Sequence, residues 1–86
     1  MITVLRFTAS WCAPCKMLAP IMEGMAQEFP GVVFEIVDVD GNPDLAQHFK
    51  VRSVPTVVIC KDDVPVKTIV GAQPKKVYLE ALEEIA

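Results

Sequence analysis

The sequence predicts an α/β fold, a four-stranded mixed sheet flanked by helices in the order β-α-β-α-β-β-α. Two features of the pattern support this prediction. Short runs of β-branched and apolar residues alternate with segments in which apolar residues recur at helical spacing. The first two strands are separated by a helix, which favours a right-handed crossover and parallel pairing, whereas the last two flank a tight turn and pair antiparallel.

The first strand and the first helix are the clearest elements. Residues Ile2–Phe7 are nearly all apolar, which is typical of a central strand covered on both faces. A helix is predicted over residues 13–29, where Pro20 predicts a bend and Pro30-Gly31 ends the helix. Its core-facing stripe consists of Leu18, Ile21, Met22, Met25 and Phe29.

The remaining elements are shorter. Strands are predicted at Val32–Val39, Thr56–Cys60 and Val66–Val70, and helices at Asp44–Phe49 and from Pro74 onward. Asp62-Asp63 is the tight turn between the last two strands. The short helix is expected to carry inward Leu45, Ala46 and Phe49. The last helix has an apolar face formed by Val77, Tyr78, Ala81, Leu82 and Ile85.

Length and composition predict one domain over residues 1–86. The chain is 52% hydrophobic, which supports a packed core and argues against disorder. Its net charge is −3 without any cluster of Lys or Arg, so we expect neither a nucleic-acid surface nor a polybasic membrane patch. No apolar run approaches the roughly 18 residues of a membrane span, and no signal peptide is recognisable, so we expect a cytoplasmic protein.

The stretch Trp11-Cys12-Ala13-Pro14-Cys15 carries the chemistry. Two cysteines with this spacing beside a β-α-β pattern are typical of a redox-active pair that opens and closes a disulfide. Cys12 falls at the start of a helix, where unpaired N–H groups and the helix dipole favour a thiolate. The thiolate is the nucleophile in disulfide exchange. Cys12 is the predicted attacking residue, because we expect its sulfur to be exposed at the helix end, whereas Cys15 is one turn in and shielded.

A zinc site is the main structural alternative for this cysteine pair. Zinc commonly takes four Cys or His ligands, and only Cys60 and His48 are left to complete such a set. Cys60 lies in an apolar strand, where a cysteine behaves as a small hydrophobic residue. His48 has the position of an ordinary surface or packing residue, and no metal is therefore expected.

Trp11 and Pro55 each allow two interpretations. Trp11 is either a packing residue or part of a surface that docks a partner, and its place before the cysteines favours the second. Pro55 either opens a strand as a trans proline or follows a cis peptide bond, which is uncommon among X–Pro bonds.

Several further segments accompany the cysteine pair. They are Trp11–Lys16, Pro20, Asp38-Val39-Asp40 ahead of Asn42-Pro43, Val51–Thr56, and Gly71. In this order and spacing they resemble the thioredoxin family over essentially the whole chain. The resemblance implies a thioredoxin-like fold and a protein-disulfide reductase, in which Cys12 attacks a substrate disulfide and Cys15 resolves the mixed disulfide.

The resemblance also implies the rest of the site and its partners. Substrate would be bound by Trp11, Ala13, Pro14, Val54, Pro55 and Gly71. The bond before Pro55 would be cis, and the Val54 backbone would pair with an extended substrate. No bound cofactor is expected. Electrons would come from an NADPH-dependent flavoprotein thioredoxin reductase, the other partners would be disulfide-containing proteins, and the chain would act as a monomer.

Two other functions stay open at this point. The chain has the size of a glutaredoxin, which glutathione reduces, although Trp11 and the Ala13-Pro14 dipeptide are more similar to a thioredoxin. Folds of this type also serve as binding or assembly modules in which the cysteines are idle. The intact Cys12 and Cys15 pair favours the enzyme over the module.

The sequence departs from the family pattern in three ways. It lacks the family's N-terminal strand and helix. Ala13 stands where the family usually has glycine, within the dipeptide that tunes the redox potential. Arg6 occupies the place of a buried aspartate thought to help deprotonate the second cysteine, and Ile36 occupies the place of that aspartate's partner lysine.

Arg6 therefore has two possible roles. As a buried cation it would favour cysteine thiolates, with Lys16 and Asp38 as further residues that modulate their pKa. Asp38 is the predicted carboxylate partner of Arg6, because it lies on the same face of its strand as Ile36. Alternatively, the Arg6 side chain extends to solvent and acts on neither thiol.

Overall fold

All seven predicted elements are present in the computed structural model, which describes residues 1–86. They are β1 (Ile2–Thr8), α1 (Ala13–Glu28), β2 (Val33–Asp38), α2 (Pro43–His48), β3 (Thr56–Lys61), β4 (Val64–Val70) and α3 (Lys75–Ile85). The ends differ from the predicted ones by one or two residues. Pro43 itself belongs to the first turn of α2, where no N–H donor is needed, and α1 continues as one helix through Pro20.

The strands form one mixed sheet in the order β2-β1-β3-β4. As predicted, β1 pairs parallel with β2, and β3 and β4 form an antiparallel hairpin; β1 also pairs antiparallel with β3. Phe7, near the end of β1, is opposite Thr56 at the start of β3. The residues that follow β1 and those that precede β3 therefore meet at the same end of the sheet.

Helices pack on both faces of the sheet. On one face α1 and α3 contribute to a buried cluster of Val4, Leu18, Met22, Met25, Val57, Ile59, Ile69, Tyr78, Ala81 and Leu82. On the other face α2 contributes to a cluster of Leu5, Phe7, Val37, Ala46, Val58 and Cys60. Alternate residues of β1 and β3 enter different clusters, so both central strands are buried on both sides. No helix combines the length and the apolar character that crossing a membrane requires.

The short helix α2 covers its face of the sheet only in part. Ala46 is buried, and the ring of Phe49 lies 5.7 Å from that of Phe7. Leu45, predicted to point inward, is exposed instead, because six helical residues bury less than a full apolar stripe. Val77 of α3, assigned to an apolar face, is likewise exposed.

The N-terminus is attached to the hairpin between β3 and β4. The turn residues Asp62 and Asp63 have φ values of 51° and 69°, the left-handed conformation that matches the twist of a tight hairpin. The Met1 ammonium donates a hydrogen bond of 2.6 Å to the Asp62 carboxylate. This hydrogen bond and the charge of the ammonium lower the pKa of the Asp62 carboxyl.

Candidate active site

Cys12 is the N-cap residue of α1. Its backbone is extended, with φ −96° and ψ 107°, and its Sγ accepts a hydrogen bond of 3.2 Å from the Cys15 amide. Pro14 lies in the first turn, where its missing N–H leaves no helical hydrogen bond unmade, and Ala13 and Lys16 beside it are exposed. No acidic residue lies in this turn, so no negative side chain there offsets the positive end of the helix dipole.

Cys12 and Cys15 form a disulfide, with Cα atoms 5.3 Å apart. Cys12 is 4% exposed and Cys15 is 2% exposed. The sequence-based interpretation assigned an exposed sulfur to Cys12 and shielded only Cys15. For the disulfide form this is wrong, because Ala9, Val39 and Val54 pack around both cysteines. An incoming thiolate must therefore approach Cys12 past these neighbours.

Pro55 brings a second segment to the cysteine pair. The Val54–Pro55 bond is cis, as the family resemblance implies. Pro55 is buried and Val54 packs against the cysteines. Gly71 donates its amide N–H to the Pro55 carbonyl oxygen at 2.8 Å, and its φ of 82° is one that side chains disfavour. The structure thus brings Val54, Pro55 and Gly71 together at one end of the sheet.

Trp11 lies on the surface beside the disulfide. It is 69% exposed, which excludes the core-packing interpretation. Its indole Nε1 donates a hydrogen bond of 2.8 Å to Asp40 Oδ2. This contact was not predicted from the sequence. The available signal was that β2 is parallel to β1, so that Asp40, which follows β2, ends near the residues that follow β1.

Arg6 is 7% exposed and lies between β1 and α1, near Met22, Glu23 and Phe34. Burial lowers the pKa of its guanidinium, and the negative charge of Glu23 opposes that shift. None of the three ion pairs in the chain includes Arg6. Since no buried side-chain nitrogen lacks a hydrogen-bond partner, the guanidinium keeps contact with solvent at the β2 edge.

Asp38 does not pair with Arg6, contrary to the sequence-based prediction. The register of the sheet puts Ile36 opposite Arg6 and Asp38 opposite Thr8, at the end of the strand. There the Asp38 carboxylate is exposed and accepts a hydrogen bond of 3.0 Å from the Asp40 amide. The carboxylate that faces Arg6 is Glu23 of α1, a residue that the sequence reasoning missed.

Cys60 and His48 do not complete a metal site with the cysteine pair. Cys60 is a free thiol in the cluster beneath α2, where burial and then the negative charge of Asp63 raise its pKa. His48 is exposed on α2, with its ring edge-on to Phe49. No three or more His, Cys, Asp or Glu side chains are grouped as a metal ion requires, so the residues present do not fit zinc.

Comparison with known proteins identifies the family. The family model described as thioredoxin matches residues 1–84. The thioredoxin of Staphylococcus saprophyticus is 42% identical over 84 residues, which cover 96% of this chain and 81% of that protein. The Staphylococcus aureus thioredoxin is 40% identical over the same shares of the two chains.

Solved structures agree with the sequence comparison. Oxidized mitochondrial thioredoxin 3 from Saccharomyces cerevisiae superposes with a TM-score of 0.91 at 35% identity, over 96% of this chain and 77% of that one. A mutant thioredoxin from Halobacterium salinarum gives 0.92 at 35% identity, over 96% and 73%. The fold is therefore the thioredoxin fold. With a disulfide closed across the first turn of α1, the chain belongs to the thioredoxin family and is a thiol–disulfide oxidoreductase.

Proposed function

We propose that Cys12 is the attacking nucleophile and Cys15 the resolving thiol in the reduction of protein disulfides. The Cys12 thiolate attacks one sulfur of the substrate disulfide, forms a mixed disulfide and expels the other sulfur as a thiolate. The Cys15 thiolate then attacks Cys12 Sγ, closes the internal disulfide and releases the second substrate thiolate. Two electrons pass to the substrate, whose thiolates take up protons from solvent.

The hydrogen bond from the Cys15 amide to Cys12 Sγ is the observation that carries this assignment. An N–H group at a helix N-terminus stabilises a sulfur that becomes negative, and the helix dipole acts in the same direction. Cys12 receives this hydrogen bond as the N-cap residue, whereas Cys15 lies one turn inside the helix. The first attack therefore falls to Cys12.

Single substitutions of the two cysteines test the roles. In an insulin-reduction assay with dithiothreitol as electron donor, Cys12→Ser is expected to lower the rate to the uncatalysed background. Cys15→Ser is expected to accumulate a mixed disulfide with substrate, detectable as a mass adduct that dithiothreitol removes. Cys60→Ala is the matched control, because it removes a cysteine outside the pair. Wild-type turnover by Cys12→Ser would overturn the assignment.

We propose that substrate contacts the protein at the end of the sheet where the disulfide lies. Trp11, Ala13 and Pro14 are exposed around the disulfide, and Val54 packs against it. Pro55 follows Val54 and accepts the hydrogen bond from Gly71. The residues before β3 are not part of the sheet, so the Val54 backbone is available to an extended substrate segment. This arrangement supports recognition of disulfides in unstructured or extended segments.

The electron donor is proposed to be an NADPH-dependent flavoprotein thioredoxin reductase, with no cofactor bound to the chain itself. The curated relatives named thioredoxin favour this donor over glutathione. Turnover of an insulin substrate with such a reductase and NADPH, compared with glutathione and glutathione reductase, decides between them. Faster turnover with glutathione would assign the chain to glutaredoxin-like chemistry instead.

We propose further that residues 1–86 act as one domain, as a monomer in the cytoplasm. The net charge of −3 supports a monomer, because like charges on two copies repel each other. Sedimentation of the reduced protein at several concentrations tests the oligomeric state. A mass that rises towards twice the 9.4 kDa of the chain would contradict it.

A further inference from the structure

A shallow groove leads away from the disulfide along the segment between α2 and Pro55. Its first part holds about 140 Å³, room for one side chain, and lies between Trp11, Val51 and Val54. Its second part continues past Val51 and Arg52 to Lys50 at the end of α2. We name this the Arg52 groove and define it by Trp11, Val39, Lys50, Val51, Arg52 and Val54. Because Val39 and Val54 also pack against the cluster that contains both cysteines, the groove begins beside the disulfide.

The far end of the Arg52 groove is positively charged on a protein that is negative overall. Lys50 and Arg52 are both exposed, and neither belongs to any of the three ion pairs of the chain. Asp40 keeps its negative charge when it accepts from the neutral Trp11 indole, but it lies at the Trp11 end of the groove, and Asp44 lies at the opposite, N-terminal end of α2. The net charge of the chain is −3, so this pair of cations is a local departure rather than part of a basic face.

The backbone conformation of Lys50 independently indicates that its side chain has a role beyond folding. Lys50 follows the last turn of α2 with a φ of 59°, a left-handed conformation that glycine adopts at no steric cost. The Lys50 amide donates to the Gln47 carbonyl at 3.0 Å, and the Val51 amide donates to the Ala46 carbonyl at 2.9 Å. These backbone bonds do not require a lysine. Folding alone would therefore favour glycine at this position. The negative C-terminal end of the α2 dipole stabilises a cation there, which offsets only part of the cost of the left-handed conformation.

We propose that Lys50 and Arg52, at the far end of the Arg52 groove, make the protein prefer substrates in which acidic residues follow an apolar residue beside the reactive cysteine. The apolar side chain occupies the part between Trp11 and Val51, and the acidic side chains reach Arg52 and Lys50. This inference rests on the proposed disulfide exchange and adds the class of substrate sequence. Exposed charge pairs contribute modestly to affinity but raise association rates, and salt weakens their effect.

Matched disulfide peptides test the preference. Three peptides carry the same apolar residue beside the cysteine, followed by Asp-Asp, Asn-Asn or Lys-Lys, and the reduced protein is mixed with each under pseudo-first-order conditions. At low ionic strength the Asp-Asp peptide is expected to react about three- to tenfold faster than the Asn-Asn peptide. The Lys-Lys peptide is expected to react slowest, and added salt is expected to compress the whole series.

Variants assign this preference to the groove. The double substitution Lys50→Gln with Arg52→Gln is expected to bring the Asp-Asp to Asn-Asn rate ratio close to one. Lys67→Gln, which removes an exposed cation of β4, is expected to keep the wild-type ratio. Lys50→Gly is expected to lower the ratio while the protein unfolds at an equal or higher urea concentration, which a purely structural role of Lys50 would not produce.

The outcomes separate this inference from the proposed function. If the wild-type protein reduces none of the three peptides, the proposed disulfide exchange is wrong. If it reduces all three at equal rates, exchange stands and the acidic preference is wrong. If the preference survives in the double variant, cations elsewhere on the surface cause it, and the assignment to the Arg52 groove is overturned.

Discussion

The amide of Gly71 donates a hydrogen bond of 2.8 Å to the carbonyl oxygen of Pro55, so the loop after β4 is attached to the segment beside the disulfide. Tyr78 of α3 also forms hydrogen bonds with this loop. The Tyr78 hydroxyl donates to the Gly71 carbonyl and accepts from the Gln73 amide, each at 3.1 Å. Tyr78 belongs to the core cluster beneath α3, so the packing of that helix positions one wall of the site.

Gly71→Ala is predicted to destabilise the protein through its backbone rather than through a clash. A Cβ at this position would meet only Gln73 Nε2 at 3.7 Å, an ordinary contact, but φ is 82°. The left-handed conformation costs a residue with a side chain about 1–2 kcal/mol. Urea unfolding of the oxidised protein is expected to show a loss of this size. Insulin reduction is expected to be slower, because the Gly71 amide is bonded to Pro55, the neighbour of Val54 at the disulfide.

Gly24→Ala is the matched control for the glycine prediction. Gly24 lies inside α1, and a Cβ there meets nothing within 4 Å. Alanine is the better helix former, so this variant is expected to gain about 0.5–1 kcal/mol in unfolding free energy and to keep its activity. Equal stability changes in the two variants would show that the conformation of Gly71 is not what selects glycine.

Trp11→Ala is predicted to weaken substrate binding with little effect on folding. The indole is largely exposed and makes one side-chain hydrogen bond, to Asp40, so the unfolding free energy should change by less than about 0.5 kcal/mol. The KM for insulin is expected to rise severalfold, since exposed Trp residues are frequent anchors of interfaces. A large loss of stability with an unchanged KM would instead make Trp11 a packing residue.

The sequence encodes the secondary structure and the chemistry of the site more directly than its side-chain contacts. Apolar spacing along one chain determines which segments become helices and strands, and the position of Cys12 before the Ala13-Pro14 turn indicates a helix start. The cis bond before Pro55 became an expectation only through the family resemblance. No local feature of the chain distinguishes it from an ordinary strand-opening proline.

Contacts between separate elements were predicted poorly for a physical reason. The pairing of Arg6 with Asp38 rested on their sharing one face of the sheet, which is correct. The strand register, however, places Ile36 opposite Arg6 and Asp38 two residues further along β2. The carboxylate that acts on Arg6 is Glu23 of α1. Such details depend on register and on how a helix is rotated over the sheet, and periodicity along one segment reports neither.

Cys60 is predicted to make the folded protein less stable at alkaline pH. Burial and the charge of Asp63 raise the pKa of its thiol in the folded state, whereas an unfolded thiol has a pKa of about 8.5. Between these values the unfolded chain loses a proton that the folded chain keeps, so the unfolding free energy falls as pH rises. The stabilising contribution of the neutral thiol is fully present below about pH 8.

Urea unfolding of the oxidised protein between pH 7 and pH 9.5 measures this effect, with Cys60→Ala as the control. The variant is expected to be less stable at every pH because it leaves a small cavity, but its stability should fall less steeply above about pH 8.5. Tyr78, whose hydroxyl pKa burial also raises, contributes only at higher pH. Parallel pH curves for the two proteins would contradict the assignment to Cys60.

Arg6→Leu is predicted to shift thiolate formation in the reduced protein to higher pH. The guanidinium stays charged at working pH and lies near Met22. Met22 is two helical turns, or roughly 10 Å, from Cys15 along α1, and this sets the distance over which the charge acts. At that distance and an effective dielectric constant of about 20, a charge shifts a titration by up to about one pH unit; solvent contact and Glu23 reduce this to several tenths.

The ultraviolet absorbance of the thiolate, followed against pH, measures the shift. Arg6→Lys keeps the charge and should titrate close to the wild type, whereas Glu23→Gln removes the opposing charge and should shift thiolate formation to lower pH. A stabilised thiolate also makes the internal disulfide easier to reduce, so Arg6→Leu should be the stronger reductant in a glutathione redox buffer. Superimposable titrations of wild type, Arg6→Leu and Glu23→Gln would show that Arg6 extends to solvent without acting on either cysteine.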